Sequence, residues 1–208
     1  MDWLRMRIGL RPTRRVATVP LGTRYGRWHV PLQLLTPESV VYSVGVGEDV
    51  SFDLALIERV GCHVWAFDPT PRAIAFAARL DEPRFHFHPW ALWSTDTTLP
   101  FFVPANLDWV SHSLVNLHGT EDHIEVPCRS IHSIMRELGH QRVDLLKLDI
   151  EGAEYEVLGS LGEVHPDILC VELDQTMSIS KIVAFMRSLP YDPIRVDRWN
   201  VTFVAGDR

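Results

Sequence analysis

The sequence of 208 residues predicts an α/β domain with a mainly parallel sheet and helices on both faces. Three observations predict it. Short apolar runs typical of buried strands alternate with segments of helical periodicity. The first strong strand ends in a Gly-x-Gly turn that leads into a helix. Apolar and charged residues make up 46% and 23%, which fits one domain that buries its own core.

Strands and helices follow one another from residue 40 onward. Asp49, Thr70 and Ser130 are expected to cap helices that begin after them, and Gly61 and Gly139 to end helices. Two C-terminal segments, 194–198 and 201–205, are expected to pair as an antiparallel hairpin. The other predicted strands are 40–46, 62–67, 84–88, 99–103, 124–128, 143–150 and 168–173, and the predicted helices are 50–60, 70–80, 130–138, 153–161 and 178–189.

Composition excludes several classes of protein. Cys62, Cys128 and Cys170 are scattered and form no CxxC pair, which favours buried thiols over a disulfide framework or a zinc ribbon. No apolar run reaches the roughly 18 residues of a membrane span. The segment Met1 to Pro12 lacks the continuous apolar stretch of a secretory signal, so we expect a cytoplasmic protein.

Charge divides the chain unevenly. The first 27 residues hold seven arginines against one acid, Asp2, although the whole chain has a net charge of −7. We expect residues 1–37 to form a basic arm, which either packs on the acidic body or contacts an anionic partner. The body, residues 38–208, lacks the basic surface of a nucleic-acid enzyme, so no nucleic-acid partner is expected.

The turn after the first strand has the composition of a cofactor loop. Its glycines permit a tight turn and a close approach of the backbone to a ligand. The third glycine of a dinucleotide fingerprint is absent, because position 50 is Val, and Glu48 and Asp49 would repel a pyrophosphate. The loop therefore suits a cationic ligand such as S-adenosylmethionine, which has a sulfonium and an ammonium but no phosphate. The loop residues are Ser43, Val44, Gly45, Val46, Gly47, Glu48 and Asp49.

Two later strand ends also have residues suited to a nucleoside. Asp68, followed by Pro69, lies 23 residues after Gly45, a spacing that favours bonds to both ribose hydroxyls over a simple helix cap. After the third strand, Trp90, Ala91 and Leu92 form either a flat apolar slot for adenine or ordinary aromatic core.

The fourth strand ends in charged residues. Strand alternation places Lys147 and Asp149 on one face, and a lysine in an apolar strand requires a partner, for which Asp149, Glu151 and Glu154 are candidates. Asp149 then either fixes the strand end as an ion pair or faces the reaction centre.

These motifs together resemble the FkbM-type methyltransferases. The resemblance lies in the run from Asp144 to Glu154, followed by Leu158, in the run from Val41 to Asp49, and in the pair Asp68-Pro69. It implies a Rossmann-like class I fold with a seven-stranded, mostly parallel sheet and S-adenosyl-L-methionine as the methyl donor. It also implies O-methylation of a small molecule or sugar, without naming the acceptor.

Removal of the hydroxyl proton calls for a general base, and Asp149, Glu151 and His112 are the candidates. His112 lies on the long loop between Asn106 and His123. No metal site is assigned, because Lys147 can neutralise the acids.

Residues 25–31 precede the first strand. They are expected either to close over the cofactor as a lid or to pack on the core. A homodimer is compatible with the sequence. Two other functions stay open, a catalytically silent Rossmann-like binding module and an NAD-dependent oxidoreductase.

Overall fold

The computed structural model describes residues 2–102, 122–174 and 176–206. Its helices are α1 (Asp2–Gly9), α2 (Ser51–Val60), α3 (Pro71–Ala77), α4 (Ile131–Leu138), α5 (Glu154–Gly159) and α6 (Ile179–Ser188), with a 3-10 turn at Leu32–Leu34. Its strands are β1 (Val19–Leu21), β2 (Trp28–Val30), β3 (Val40–Val44), β4 (His63–Phe67), β5 (Phe85–His88), β6 (Ala91–Trp93), β7 (Thr97–Phe102), β8 (His123–Ser130), β9 (Leu145–Leu148), β10 (Ile168–Glu172), β11 (Tyr191–Asp197) and β12 (Asn200–Ala205).

A seven-stranded sheet forms the centre of the fold, in the order β11-β12-β10-β9-β3-β4-β5. The five strands from β10 to β5 are parallel, whereas β12 runs antiparallel to both β10 and β11. The α/β class and the C-terminal hairpin are therefore confirmed. The chain proceeds from β3 outward to β4 and β5, and later from β9 outward in the other direction. Such a reversal opens a crevice at the carboxyl ends of the central strands.

Helices cover both faces of this sheet because its strands are apolar at successive positions. On one face Val41 packs with Phe52 and Leu56 of α2. On the other face Tyr42 and its neighbours pack with residues of α4, α5 and α6. Residues alternate between the two faces of a strand, so one buried strand contributes to both clusters.

The N-terminal segment is more ordered than the predicted basic arm. Met6 and Leu10 are buried in the same cluster as α6, and the guanidinium of Arg187 donates to the carbonyl of Gly9 at 2.8 Å. Strands β1 and β2 form an antiparallel hairpin. Arg14 lies 3.8 Å from Asp192, which favours packing of the arm on the body.

Two predicted strands lie outside the central sheet. Segments 99–103 and 124–128 correspond to β7 and β8, which pair with each other, and β6 pairs with β8 in a separate three-stranded sheet. His112 and most of the predicted long loop lie outside the described residues, and His123 already belongs to β8.

Most of the predicted helix ends agree with the structure. The hydroxyls of Thr70 and Ser130 accept the N–H groups of Ala73 and Ser133, which confirms both caps. Asp49 is not the cap of α2, because the helix begins one residue later, after Val50. All three cysteines are buried and free, as predicted. Within the described ranges, no helix is long and apolar enough to cross a membrane.

Candidate functional site

A cavity of about 430 Å³ opens where β3, β4 and β9 end. Eleven residues predicted as site residues line it: Val44, Gly45, Val46, Gly47, Glu48, Asp68, Pro69, Ala91, Leu92, Asp149 and Glu151. Two others do not. Ser43 is fully buried beneath the loop, and Trp90 lies outside the cavity.

The two glycines of the loop have different roles. Gly45 has a φ of 75°, and a Cβ there would lie 1.7 Å from the carbonyl oxygen of Asp149. Gly45 therefore permits contact between β3 and the end of β9. Gly47 has a φ of 51°, and a Cβ there would meet no atom within 4 Å. Gly47 therefore leaves open space beside the cavity, which is the close approach that a ligand requires.

The two acids that follow are already engaged. Glu48 forms an ion pair with Arg72 of α3. Asp49 accepts the hydroxyl of Thr23 at 2.5 Å and the N–H of Ser51 at 3.0 Å. Burial disfavours the charged form of Asp49, but the hydrogen bonds from Ser51, Thr23 and Gly26 outweigh it and lower its pKa. These contacts mean that neither acid repels a pyrophosphate as directly as the sequence indicates.

Asp68 joins the cofactor loop to the start of α3. Its side chain accepts the N–H of Gly47 at 2.9 Å, and the N–H and hydroxyl of Thr70 at 2.9 and 2.6 Å. A carboxylate has about four acceptor positions. Three are taken, so the geometry leaves room for a bond from one ribose hydroxyl rather than from two. The capping role belongs to Thr70.

The apolar wall of the cavity differs from the predicted slot. Ala91 and Leu92 line it together with Phe101, which the sequence did not single out. Trp90 instead stacks on His88, with ring centroids 4.7 Å apart, and the Arg129 guanidinium lies 5.5 Å from its ring. Trp90 is thus part of an aromatic cluster beside β5.

Lys147 has its predicted partner among the three acids. Its ammonium lies 3.6 Å from a carboxylate oxygen of Asp149, and it donates to the carbonyl of Gly45 at 2.7 Å. Glu154 has a different role, because it accepts the N–H groups of Ile150 and Gly152 at 2.9 and 3.0 Å. These bonds hold the turn at Glu151, whose φ of 53° is unusual for a residue with a side chain.

More carboxyl groups gather at the end of β10. Burial, and next the charge of Asp149, raise the pKa of Glu172. Burial and the charges of Glu151 and Asp149 raise the pKa of Asp174 to about 7. Glu172 and Asp174 were not predicted from the sequence, although the rule that sites follow parallel strands also applies to β10. Among the described residues, no group of three or more potential ligands is arranged to hold a metal ion.

Asp53 was also missed. It lines the cavity from the first turn of α2 and is only 1% exposed. Burial raises its pKa to about 6, although the nearby Lys147 ammonium lowers it. The available signal was an acid within a helix whose other residues are apolar around much of the circumference.

Comparison with known proteins identifies the family. Residues 40–193 match the methyltransferase FkbM domain. The chain belongs to the FkbM methyltransferase family. The resemblance seen in the sequence is thereby confirmed, and the match covers the five parallel strands of the central sheet and the start of β11, but not β12.

Relatives of this FkbM domain include two mammalian proteins. The probable methyltransferase-like protein 24 of Rattus norvegicus is 30% identical over 152 residues, and that of Homo sapiens is 28% identical. Each match covers 72% of this chain, but only 35% and 34% of the relative. The chain thus spans about a third of the length of these relatives.

Two solved structures are similar at low identity. An rRNA methylase from Streptococcus thermophilus has a TM-score of 0.47 and 10% identity, over 85% of this chain and 92% of that one. The fibrillarin pre-rRNA processing protein of Methanococcus jannaschii has a TM-score of 0.48 and 12% identity, over 86% and 70%.

Proposed function

We propose that this FkbM domain binds S-adenosylmethionine in the cavity and transfers the methyl group to a hydroxyl of a small molecule or sugar. The observation that carries the proposal is the convergence, around one cavity, of the open loop at Gly47, the carboxylate of Asp68 and the charged end of β9. Family membership supports the same chemistry.

The lining residues fit such a cofactor in three ways. The space beside Gly47 admits a ligand against the backbone. The remaining acceptor position of Asp68 suits a ribose hydroxyl, and a hydrogen bond to a charged acceptor contributes about 1.5–3 kcal/mol. Ala91, Leu92 and Phe101 provide apolar surface for a purine ring.

The bound cofactor would supply a methyl group that its sulfonium already activates. The protein must hold the acceptor oxygen about 3–3.5 Å from the carbon it attacks and remove the hydroxyl proton. Asp149 and Glu151 lie at the cavity and are the candidate bases that the structure describes. Lys147 fixes the position of the Asp149 carboxylate.

The turn between β1 and β2 would act as a lid over this cavity. Tyr25 and Gly26 line its mouth, and Tyr25 is 93% exposed. Thr23, in the same turn, is bound to Asp49 of the cofactor loop. Trp28 is buried and anchors one end of the segment in the core, and the exposed ring of Tyr25 is the part proposed to close over the cavity.

Calorimetry with S-adenosylhomocysteine and with NAD tests the proposal. We expect binding of S-adenosylhomocysteine and none of NAD, and the reverse would indicate an oxidoreductase. A screen with radiolabelled methyl donor over hydroxylated metabolites, sugars and peptides then tests transfer. Binding without transfer to any acceptor would indicate a silent binding module.

A further inference from the structure

The carboxyl group of Asp53 is buried at the cavity with part of its bonding capacity unused. Its Oδ1 has no hydrogen-bond partner among the described residues, and neither has the hydroxyl of Ser43. The Ser43 hydroxyl adjoins this carboxyl and helps to lower its pKa, but the two groups do not have hydrogen-bond geometry. A buried acceptor without a partner is costly, so such a group indicates a missing donor.

The described residues do not supply this donor. Lys147 is the cation near Asp53, but its ammonium already contacts the carbonyl of Gly45 and the carboxylate of Asp149. The charge of Asp49, across the loop, further raises the pKa of Asp53. Asp53 thus has a like charge, Asp49, near it, and the one ammonium group that acts on it is already engaged by Asp149, which favours a cationic ligand group.

We propose that Asp53 binds the α-ammonium group of the amino-acid end of the cofactor. An ammonium group has three N–H donors and no acceptor, which suits a buried carboxylate with an unused acceptor position. Because donor and acceptor are both charged, the bond to Asp53 is of the stronger kind. Since this inference rests on the proposed function, its test must separate the two.

The test compares two ligands. S-adenosylhomocysteine has the ammonium group, whereas 5′-methylthioadenosine keeps the adenine, ribose and sulfur but lacks the amino-acid end. In calorimetry, Asp53→Asn is expected to weaken S-adenosylhomocysteine binding by about tenfold or more, while the affinity for 5′-methylthioadenosine stays within about twofold.

Asp144→Asn is the matched control. Asp144 is also buried, but it lies just before β9, where its side chain accepts the N–H of Val40, and it does not line the cavity. The affinities of Asp144→Asn for both ligands should therefore stay unchanged. An equal loss for both ligands in Asp53→Asn, or no loss, would overturn the role of Asp53 and leave the proposed function intact. Failure of the wild-type protein to bind either ligand would overturn both.

A measurement on the wild-type protein covers the case in which Asp53→Asn does not fold. Affinity for S-adenosylhomocysteine should rise as the pH increases through the pKa of Asp53, about 6, while affinity for 5′-methylthioadenosine does not follow. The charged groups facing Asp53 are Lys147 and Asp49, with the Ser43 hydroxyl beside it. Parallel pH profiles for the two ligands would contradict the proposal.

Discussion

Ionisation of Asp53 should destabilise the ligand-free protein, and Asp53→Asn should remove that effect. Burial raises the pKa of this carboxyl from 3.8 to about 6. Each pKa unit corresponds to about 1.4 kcal/mol, so the full penalty is about 3 kcal/mol. Since the folded protein holds the proton more tightly than the unfolded chain, the penalty is absent below the unfolded pKa. It develops as the pH rises and is complete above the folded pKa.

Urea unfolding of both proteins at about pH 5 and about pH 7.5 measures this effect. Between these values, the wild-type protein should lose about 1.5 kcal/mol of stability relative to Asp53→Asn. Other groups titrate alike in both proteins, so their contributions cancel when the two changes in unfolding free energy are compared. Any pH-independent cost of burying the amide in Asp53→Asn cancels in the same way. If the difference in unfolding free energy between Asp53→Asn and the wild-type protein stays constant or shrinks as the pH rises, the Asp53 carboxylate has a partner in solution. That result would refute the predicted penalty of ionisation.

Three further predictions concern the cavity. Asp68→Ala should weaken S-adenosylhomocysteine binding more than about tenfold by calorimetry while circular dichroism stays native; retained affinity would refute the ribose contact. Gly45→Ala should lower the free energy of unfolding, measured in urea, by several kcal/mol because its methyl group meets the backbone of Asp149. Gly47→Ala should lower it by only about 1–2 kcal/mol, and equal losses would contradict the proposed roles of the two glycines. Tyr25→Ala should leave the melting temperature unchanged but reduce cofactor affinity several-fold, and unchanged affinity would argue against a lid.

Sequence periodicity was enough to predict the strands of the central sheet, whereas their number was an implication of the family resemblance. The strands are short apolar runs, and the hydroxyls of Thr70 and Ser130 are the local groups that begin two helices. Parallel strands end at the same edge of a sheet, so the sequence also predicted that Gly45, Asp68 and Asp149 lie close together. All three line the cavity.

The remaining features depend on contacts between distant segments. Helix α1 has weak periodicity and is held by burial of Met6 and Leu10 against α6, which no local pattern shows. Trp90 was predicted to lie either in an adenine slot or in the aromatic core, and tertiary packing stacks it on His88 in the aromatic cluster. Asp53 was not identified because its significance depends on an Oδ1 atom without a hydrogen-bond partner among the described residues, which only three-dimensional packing reveals.

The hairpin of β1 and β2 lies outside the family match, although it packs on the core of the domain. The family match begins at residue 40, yet Trp28 and Val30 are buried in the core, and the Lys147 ammonium lies 5.8 Å from the Trp28 ring. A recombinant fragment that starts at the family boundary would therefore expose apolar surface and lose one wall of the cavity. Comparisons restricted to the matched region also omit Tyr25 and Gly26, and so leave out this part of the cavity lining.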